Sequence, residues 1–300
     1  MQPIQWFKRM KIMKVLPECD ALILEGGSLR CAFTAGVLDA FAAVNYRPFN
    51  HYIAVSAGSM ALTSFLSGQR KHFIDLAMEM AEDSRFISFR SAFSEEGLMN
   101  LSFLAKTVME SAPIDWDALD HEMEGKKALI VTTDAETGLP IYLNPNRDNW
   151  MRCALASSTL PLVTRGRIKV NGQWMFDGGY SDGIPFMKAV ELGCKNILVV
   201  RTRPSGEKIV QGTLDYLASW VYSGNAPVTK LFESGFEGYN AQVTALLTGG
   251  NGSATWEELA PKTPLRSDGY YVTRVDLLAD YHQGLEVGLD WLCDSHHVKS

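Results

Sequence analysis

The sequence predicts an α/β fold built on a mostly parallel sheet covered on both faces, and three observations carry that prediction. Short apolar runs at 21–24, 52–55 and 196–200 lack the in-out alternation of half-exposed strands, as strands buried on both sides do. Between them lie segments whose apolar residues recur at helical spacing. The first two runs each end in a turn of small residues that opens such a helix, and repeated strand-helix units of this kind imply parallel pairing. Apolar residues make up 46% of the chain and charged residues 21%, the balance of a folded globule rather than of a disordered chain.

In chain order, strand 21–24 runs through Gly26-Gly27-Ser28 into a helix over 30–41. Strand 52–55 runs through Ser56-Ala57-Gly58-Ser59 into a second helix. Helices are expected at 71–83 and 101–111, and a hairpin of 127–133 with 139–143. A helix at 150–158 stops at Pro161, and a second hairpin, 166–170 with 173–176, closes on Asn171-Gly172. A helix at 185–192, a strand at 196–200 and two helices within 211–247 follow. A polar loop is expected over 249–268, then a strand at 270–277 and a helix at 283–292. No internal repeat or long linker divides the chain. The expectation is one domain over 20–300 with a helical elaboration at 205–268, behind a basic leader at 1–19.

Composition also excludes. A net charge of −6 argues against a nucleic-acid partner. Cys19, Cys31, Cys153, Cys194 and Cys293 are odd in number and contain no C-x-x-C spacing, so neither a disulfide scaffold nor a cysteine zinc site is expected, and a cytoplasmic, reducing setting fits. The uncharged stretch 48–69 is long enough to span a bilayer, but His51, Ser56, Ser59, Thr63 and Ser64 make it a strand, turn and helix instead. The leader carries Lys8, Arg9, Lys11 and Lys14 among Trp6, Phe7, Ile12 and Val15. It reads as a solvated terminus, or as a peripheral contact with anionic lipid.

Three turns can carry chemistry. Ala54-Val55-Ser56-Ala57-Gly58 approximates the G-x-S-x-G elbow, in which a strand-to-helix turn projects a serine nucleophile and the flanking positions must be small. Gly26, Gly27 and Ser28 present consecutive backbone amides at a helix start, a cradle for a developing oxyanion. Dinucleotide binding fails there because Ser28 and Cys31 break the G-x-G-x-x-G spacing. Asp177-Gly178-Gly179 ends a strand, where a carboxylate can take a serine proton directly or orient a histidine. After Asp177 only His282, His296 and His297 remain. The last two sit in a polar tail, which favours a serine–aspartate pair over a triad. Arg30 either steadies the turn and an anionic substrate or pairs with an acid. Phe86, Phe89, Phe93, Leu98, Met99 and Phe103 either line an acyl channel or pack in the core.

Taken together these stretches resemble the patatin-like phospholipases, within them the bacterial predicted patatin-like esterases. The resemblance covers about 20–200. The family's G-G-G-x-R-G turn is matched by Gly26-Gly27-Ser28-Leu29-Arg30-Cys31, its G-x-S-x-G by the Ser56 elbow and its D-G-G/A by Asp177-Gly178-Gly179. The run Ala156-Ser157-Ser158-Thr159-Leu160-Pro161 is similar to the family's small-residue helix and turn. The resemblance implies a three-layer α/β/α hydrolase without metal or cofactor. In it Ser56 attacks an acyl ester, Asp177 takes the proton, and Gly26, Gly27 and Ser28 hold the oxyanion, with Arg30, Gly58, Gly178 and Gly179 in support. A lipid or other acyl ester would be the substrate. Two alternatives stay open: a small-ester or thioester hydrolase with the same pair, and an inert lipid- or protein-binding member.

Overall fold

The computed structural model describes residues 18–83, 107, 110–164, 168–268 and 271–294. The basic residues of the expected leader, the aromatic segment 86–103, most of the helix expected at 101–111, and His296 and His297 lie outside them. Cys19, assigned to the leader, packs instead in the main core.

β1 (Ala21–Leu24) passes through a short 3-10 turn (Ser28–Arg30) into α1 (Cys31–Ala43). β2 (His51–Val55) leads into α2 (Ala57–Leu66), and α3 (His72–Glu82) and α4 (Trp116–Glu122) precede β3 (Lys127–Asp134). Next come β4 (Pro140–Leu143), α5 (Trp150–Ser157), β5 (Ile168–Val170), β6 (Gln173–Asp177), α6 (Phe186–Glu191) and β7 (Asn196–Val200). α7 (Thr213–Val221), α8 (Ala226–Leu246), β8 (Thr255–Leu259) and α9 (Arg274–Asp294) follow. The eight-stranded sheet has the order β5-β6-β3-β2-β1-β7-β8, with β4 also paired to β3. Pairs among β3, β2, β1, β7 and β8 are parallel, and β4, β6 and β5 add antiparallel pairs at one side.

Successive strand residues face opposite layers. Leu22 and Leu24 join a core with α1, α2, α3, α5 and α9, whereas Ala21 and Ile23 join one with α6 and α8. That is the expected three-layer arrangement. α1 is buried from Cys31 through Phe41, so it has no polar face and needs close cover. α9 supplies it. A Cβ added at Gly284 would lie 2.0 Å from the Phe33 carbonyl oxygen, and one at Gly36 the same distance from that of Tyr281. Only hydrogen fits where these backbones cross.

Two expectations fail at the C-terminal end. The stretch read as a polar loop contains β8, and of the strand expected at 270–277 the residues from Arg274 onward are the start of α9. β8 hides because, among the described strands, it pairs with β7 alone, and it buries Trp256 and Leu259 while carrying Glu257 and Glu258 between them. The aromatic and β-branched residues Tyr271, Val272 and Thr273 suggested a strand. Thr273 is instead a helix cap. Its hydroxyl oxygen accepts the Asp276 N–H at 3.3 Å, and the Asp276 carboxylate accepts the Thr273 N–H at 3.1 Å, a reciprocal capping box. α4, unread in the sequence, is a short helix capped by Asp115, whose carboxylate accepts the Ala118 N–H at 3.0 Å.

The α1–α9 crossing gives a direct test. Gly284→Ala forces the two backbones apart and is expected to cost about 1–3 kcal/mol, the usual range for overpacking. Thermal unfolding checks it, and a melting temperature equal to the parent's would show that the crossing yields without cost.

Candidate active site

Sheet register brings the Ser56 elbow and the Asp177 turn together. Val55 at the end of β2 pairs with Val131 of β3, and Asp177 at the end of β6 pairs with Thr132 on the other side of β3. Ser56 and Asp177 therefore flank the same level of one strand. The Ser56 hydroxyl donates to Asp177 Oδ2 at 2.5 Å, and the Gly179 N–H donates to Asp177 Oδ1 at 2.8 Å.

Ser56 holds φ +52° and ψ −133°, a conformation that side-chain-bearing residues avoid, and it caps α2. Such strain typically costs about 1–3 kcal/mol and persists only where neighbours fix it. Here they do. Its N–H donates to Ser157 Oγ at 2.7 Å, and Ser157 Oγ donates in turn to the Val131 carbonyl at 2.5 Å. Its carbonyl accepts the Ser59 hydroxyl at 2.6 Å and the Ser59 N–H at 2.8 Å.

The glycines are small because backbone or side-chain atoms lie against them. A Cβ on Gly26 would stand 2.8 Å from Ser56 Cβ, and one on Gly58 would stand 2.7 Å from the Glu25 carbonyl oxygen. One on Gly178 would stand 2.2 Å from the Val131 carbonyl oxygen. Gly27 faces Thr202, whose hydroxyl donates to the Gly26 carbonyl at 2.7 Å. Ser28 adopts φ +51°, the left-handed conformation for which a glycine is better suited, at a cost on the order of 1–2 kcal/mol. Cys31 fits without crowding the helix entry. It is fully buried, its thiol donates to the Glu25 carbonyl at 3.8 Å, and burial pushes its pKa up to about 12, which leaves it unreactive.

Asp177 is 5% exposed, and loss of water pushes its pKa up to about 6, against the opposing pull of the Ser56 and Gly179 hydrogen bonds. Among the described residues no histidine hydrogen-bonds to Ser56 or Asp177. His282 is exposed on α9, with its ring against Tyr281. Arg30 ion-pairs with Asp268 across the 3-10 turn, the pairing alternative of its two readings. No group of His, Cys, Asp or Glu among the described residues is arranged to hold a metal.

Sequence reasoning missed two supports. Arg201 is fully buried behind the glycine turn, with Nε 2.9 Å from Glu25 Oε2 and Nη1 2.6 Å from Glu258 Oε1. Tyr239 accepts from Arg201 Nη2 at 2.9 Å and donates to Glu25 Oε1 at 2.5 Å, and the Thr202 N–H donates to Glu25 Oε2 at 2.6 Å. Glu25 precedes Gly26, so this network fixes the entry to the turn. A charged residue at the end of an apolar strand, Arg201 after 196–200, was the available signal. The second support is the wall of a cavity of about 230 Å³ beside Asp177. It is lined by Leu160, Tyr180, Ile209, Leu231, Phe232 and Phe236, with Asp215 and Tyr239.

The patatin-like phospholipase profile matches residues 22–190, more than half of the chain. The chain belongs to the patatin-like phospholipase family. An uncharacterised Escherichia coli K12 protein, YjjU, is 31% identical over 186 residues, which cover 62% of this patatin-like chain and 52% of YjjU. The chain thus spans about half the length of that curated relative. Among solved structures, Legionella pneumophila VipD is similar in fold, with a TM-score of 0.50 at 11% identity over 93% of this chain and 67% of its own. The type III effector ExoU aligns with a TM-score of 0.40 at 12% identity, over 92% of this chain and 53% of its own. The patatin-like profile ends before β7, so it contains Ser56, Asp177 and the glycine turn but not Arg201 or the α8 wall.

Ser157→Ala removes the acceptor that steadies the strained Ser56 amide. It is expected to cost about 1–3 kcal/mol of stability, the penalty for an unpaired buried donor. A lowered melting temperature checks this, and an unchanged one would mean that the turn holds without Ser157.

Proposed function

We propose that the protein is a serine acyl-ester hydrolase of the phospholipase A or lysophospholipase kind, acting through Ser56 and Asp177 alone. The observation that carries the proposal is the 2.5 Å hydrogen bond from Ser56 Oγ to a buried carboxylate at a strand-to-helix elbow. Asp177 takes the hydroxyl proton as Ser56 Oγ bonds to the ester carbonyl carbon. The N–H groups of Gly26, Gly27 and Ser28 hold the resulting oxyanion. Collapse expels the alcohol, which leaves with the proton from Asp177, and an acyl-serine remains. Asp177 then deprotonates water for the second attack and returns the proton to Ser56. The apolar cavity beside Asp177 suits an acyl chain. At about 230 Å³ it is smaller than the roughly 300–1,000 Å³ of sites that enclose whole drug-sized ligands, which fits partial enclosure of a lipid.

A fluorophosphonate probe tests the nucleophile. Labelling of the parent is expected and should vanish in Ser56→Ala, with hydrolysis of acyl p-nitrophenyl esters lost as well. Unlabelled but folded parent protein would favour an inert lipid-binding role.

The pH profile tests the base. Only ionised Asp177 accepts a proton, so kcat/KM should fall as pH drops through about 6. Stability runs the other way. A carboxyl whose folded pKa lies above its unfolded value of 3.8 is bound favourably as the neutral acid. That contribution is complete below pH 3.8 and is lost as pH rises through about 6. Asp177→Asn should therefore abolish hydrolysis yet raise stability at pH 8 by about 1–3 kcal/mol, with the difference shrinking toward pH 4. Destabilisation at pH 8 would overturn this account of the buried charge.

A further inference from the structure

α7 is built inside out. Val210 before it is 83% exposed, and Tyr216 and Trp220 within it are 69% and 74% exposed. Leu214, Leu217 and Val221 extend the same outward surface, while Ala218 and Ser219 face the protein. Scattered exposed apolar residues are ordinary, but a contiguous set on one short helix marks an interaction surface.

Its position bears on the occupant. Ile209, one residue before the patch, lines the cavity beside Asp177, as does Asp215 within α7. Ile209 is clamped to α8 by Asn240, whose side-chain amide accepts its N–H and donates to its carbonyl, each at 2.8 Å. The patch therefore borders the cavity rather than lying elsewhere on the surface. Charge points the same way. From Lys208 to Lys230 the sequence has one other charged residue, Asp215, whose carboxylate is turned back to accept the Gly212 N–H at 3.1 Å. In a chain of net charge −6, this segment shows exposed lysine at both ends and no exposed acid. Tryptophan and tyrosine beside aliphatic residues and flanking lysines complement a bilayer interface, where rings settle at headgroup level and cations meet anionic lipid.

We propose that the outer face of α7 docks the protein on an anionic lipid surface and sets the cavity mouth against it. The proposal rests on the acyl-hydrolase reading for why lipid is delivered there, but its test does not depend on turnover. Vesicles of phosphatidylcholine with phosphatidylglycerol are sedimented with the Ser56→Ala protein, which cannot consume them, and with the same protein also carrying Leu217→Glu and Trp220→Glu. The first is expected to bind, and the second to bind at least tenfold more weakly. Lys208→Gln with Lys230→Gln should weaken binding to anionic vesicles about fivefold per lysine and leave binding to pure phosphatidylcholine unchanged. In the otherwise parental chain, Leu217→Glu with Trp220→Glu should keep the parent's rate on a soluble short-chain ester and its melting temperature, which separates lost docking from lost folding. Failure of the parent to hydrolyse any ester would defeat the functional reading but leave the vesicle result standing. Equal binding by both proteins, or no binding by the first, would overturn the proposal. So would a dimer in gel filtration that the glutamates dissolve without affecting vesicle binding, since the patch would then join two copies of the chain.

Discussion

Crowding at the ends of β1, β2 and β6 is the constraint on which this arrangement depends. Gly26, Gly58 and Gly178 each lie where an added methyl group would come within 3 Å of a neighbouring segment. Hydrogen at those positions lets the glycine turn, the serine elbow and the aspartate turn approach one another. Parallel pairing sets the level of the elbow, and the antiparallel β3–β6 pair brings the carboxylate to that level from the opposite direction. A purely parallel sheet would need a crossover to do the same.

Around this crowded point the chain accepts local costs and fixes them with hydrogen bonds. Ser56 and Ser28 both hold positive φ, and Asp177 is buried with no cationic partner among the described residues. Opposing these are the Ser157 hydroxyl under the Ser56 amide and the Arg201–Glu25–Tyr239 network behind the turn. A buried ion pair of this sort adds little net stability, but loss of one partner leaves a bare charge. Its value lies in holding Glu25, and so the turn that follows it, in one place.

How much of this the sequence disclosed depended on how local each signal was. The elbow, the glycine turn and the Asp177 turn are contiguous motifs, and each lies where it was expected. β1, β2 and β7 were legible because strands buried on both faces are apolar throughout. β8 was not, because an edge strand with Glu257 and Glu258 in it looks like a loop until its partner β7 is known. The start of α9 was obscured by β-branched residues although Thr273 and Asp276 form a cap. The roles of Arg201 and Ser157 escaped notice for a different reason. They exist only through partners 176 and 101 residues away, and neither the apolar strand before Arg201 nor the small-residue run around Ser157 says what those partners are.

The profile boundary at residue 190 divides the molecule's labour. Asp177, the hydrogen-bond partner of the Ser56 hydroxyl, lies before it, and α8, which supplies most of the apolar cavity wall, lies after it. The α7–α8 insert leaves the sheet after β7 and returns at β8, so its length is free of the register that aligns the serine with the aspartate. Exchange of that insert for another helix pair would refit the mouth, but the replacement would also have to supply the Tyr239 hydroxyl that holds Glu25 and Arg201 behind the glycine turn. The insert is thus variable along the cavity and its outer face, and tied to the sheet through Tyr239.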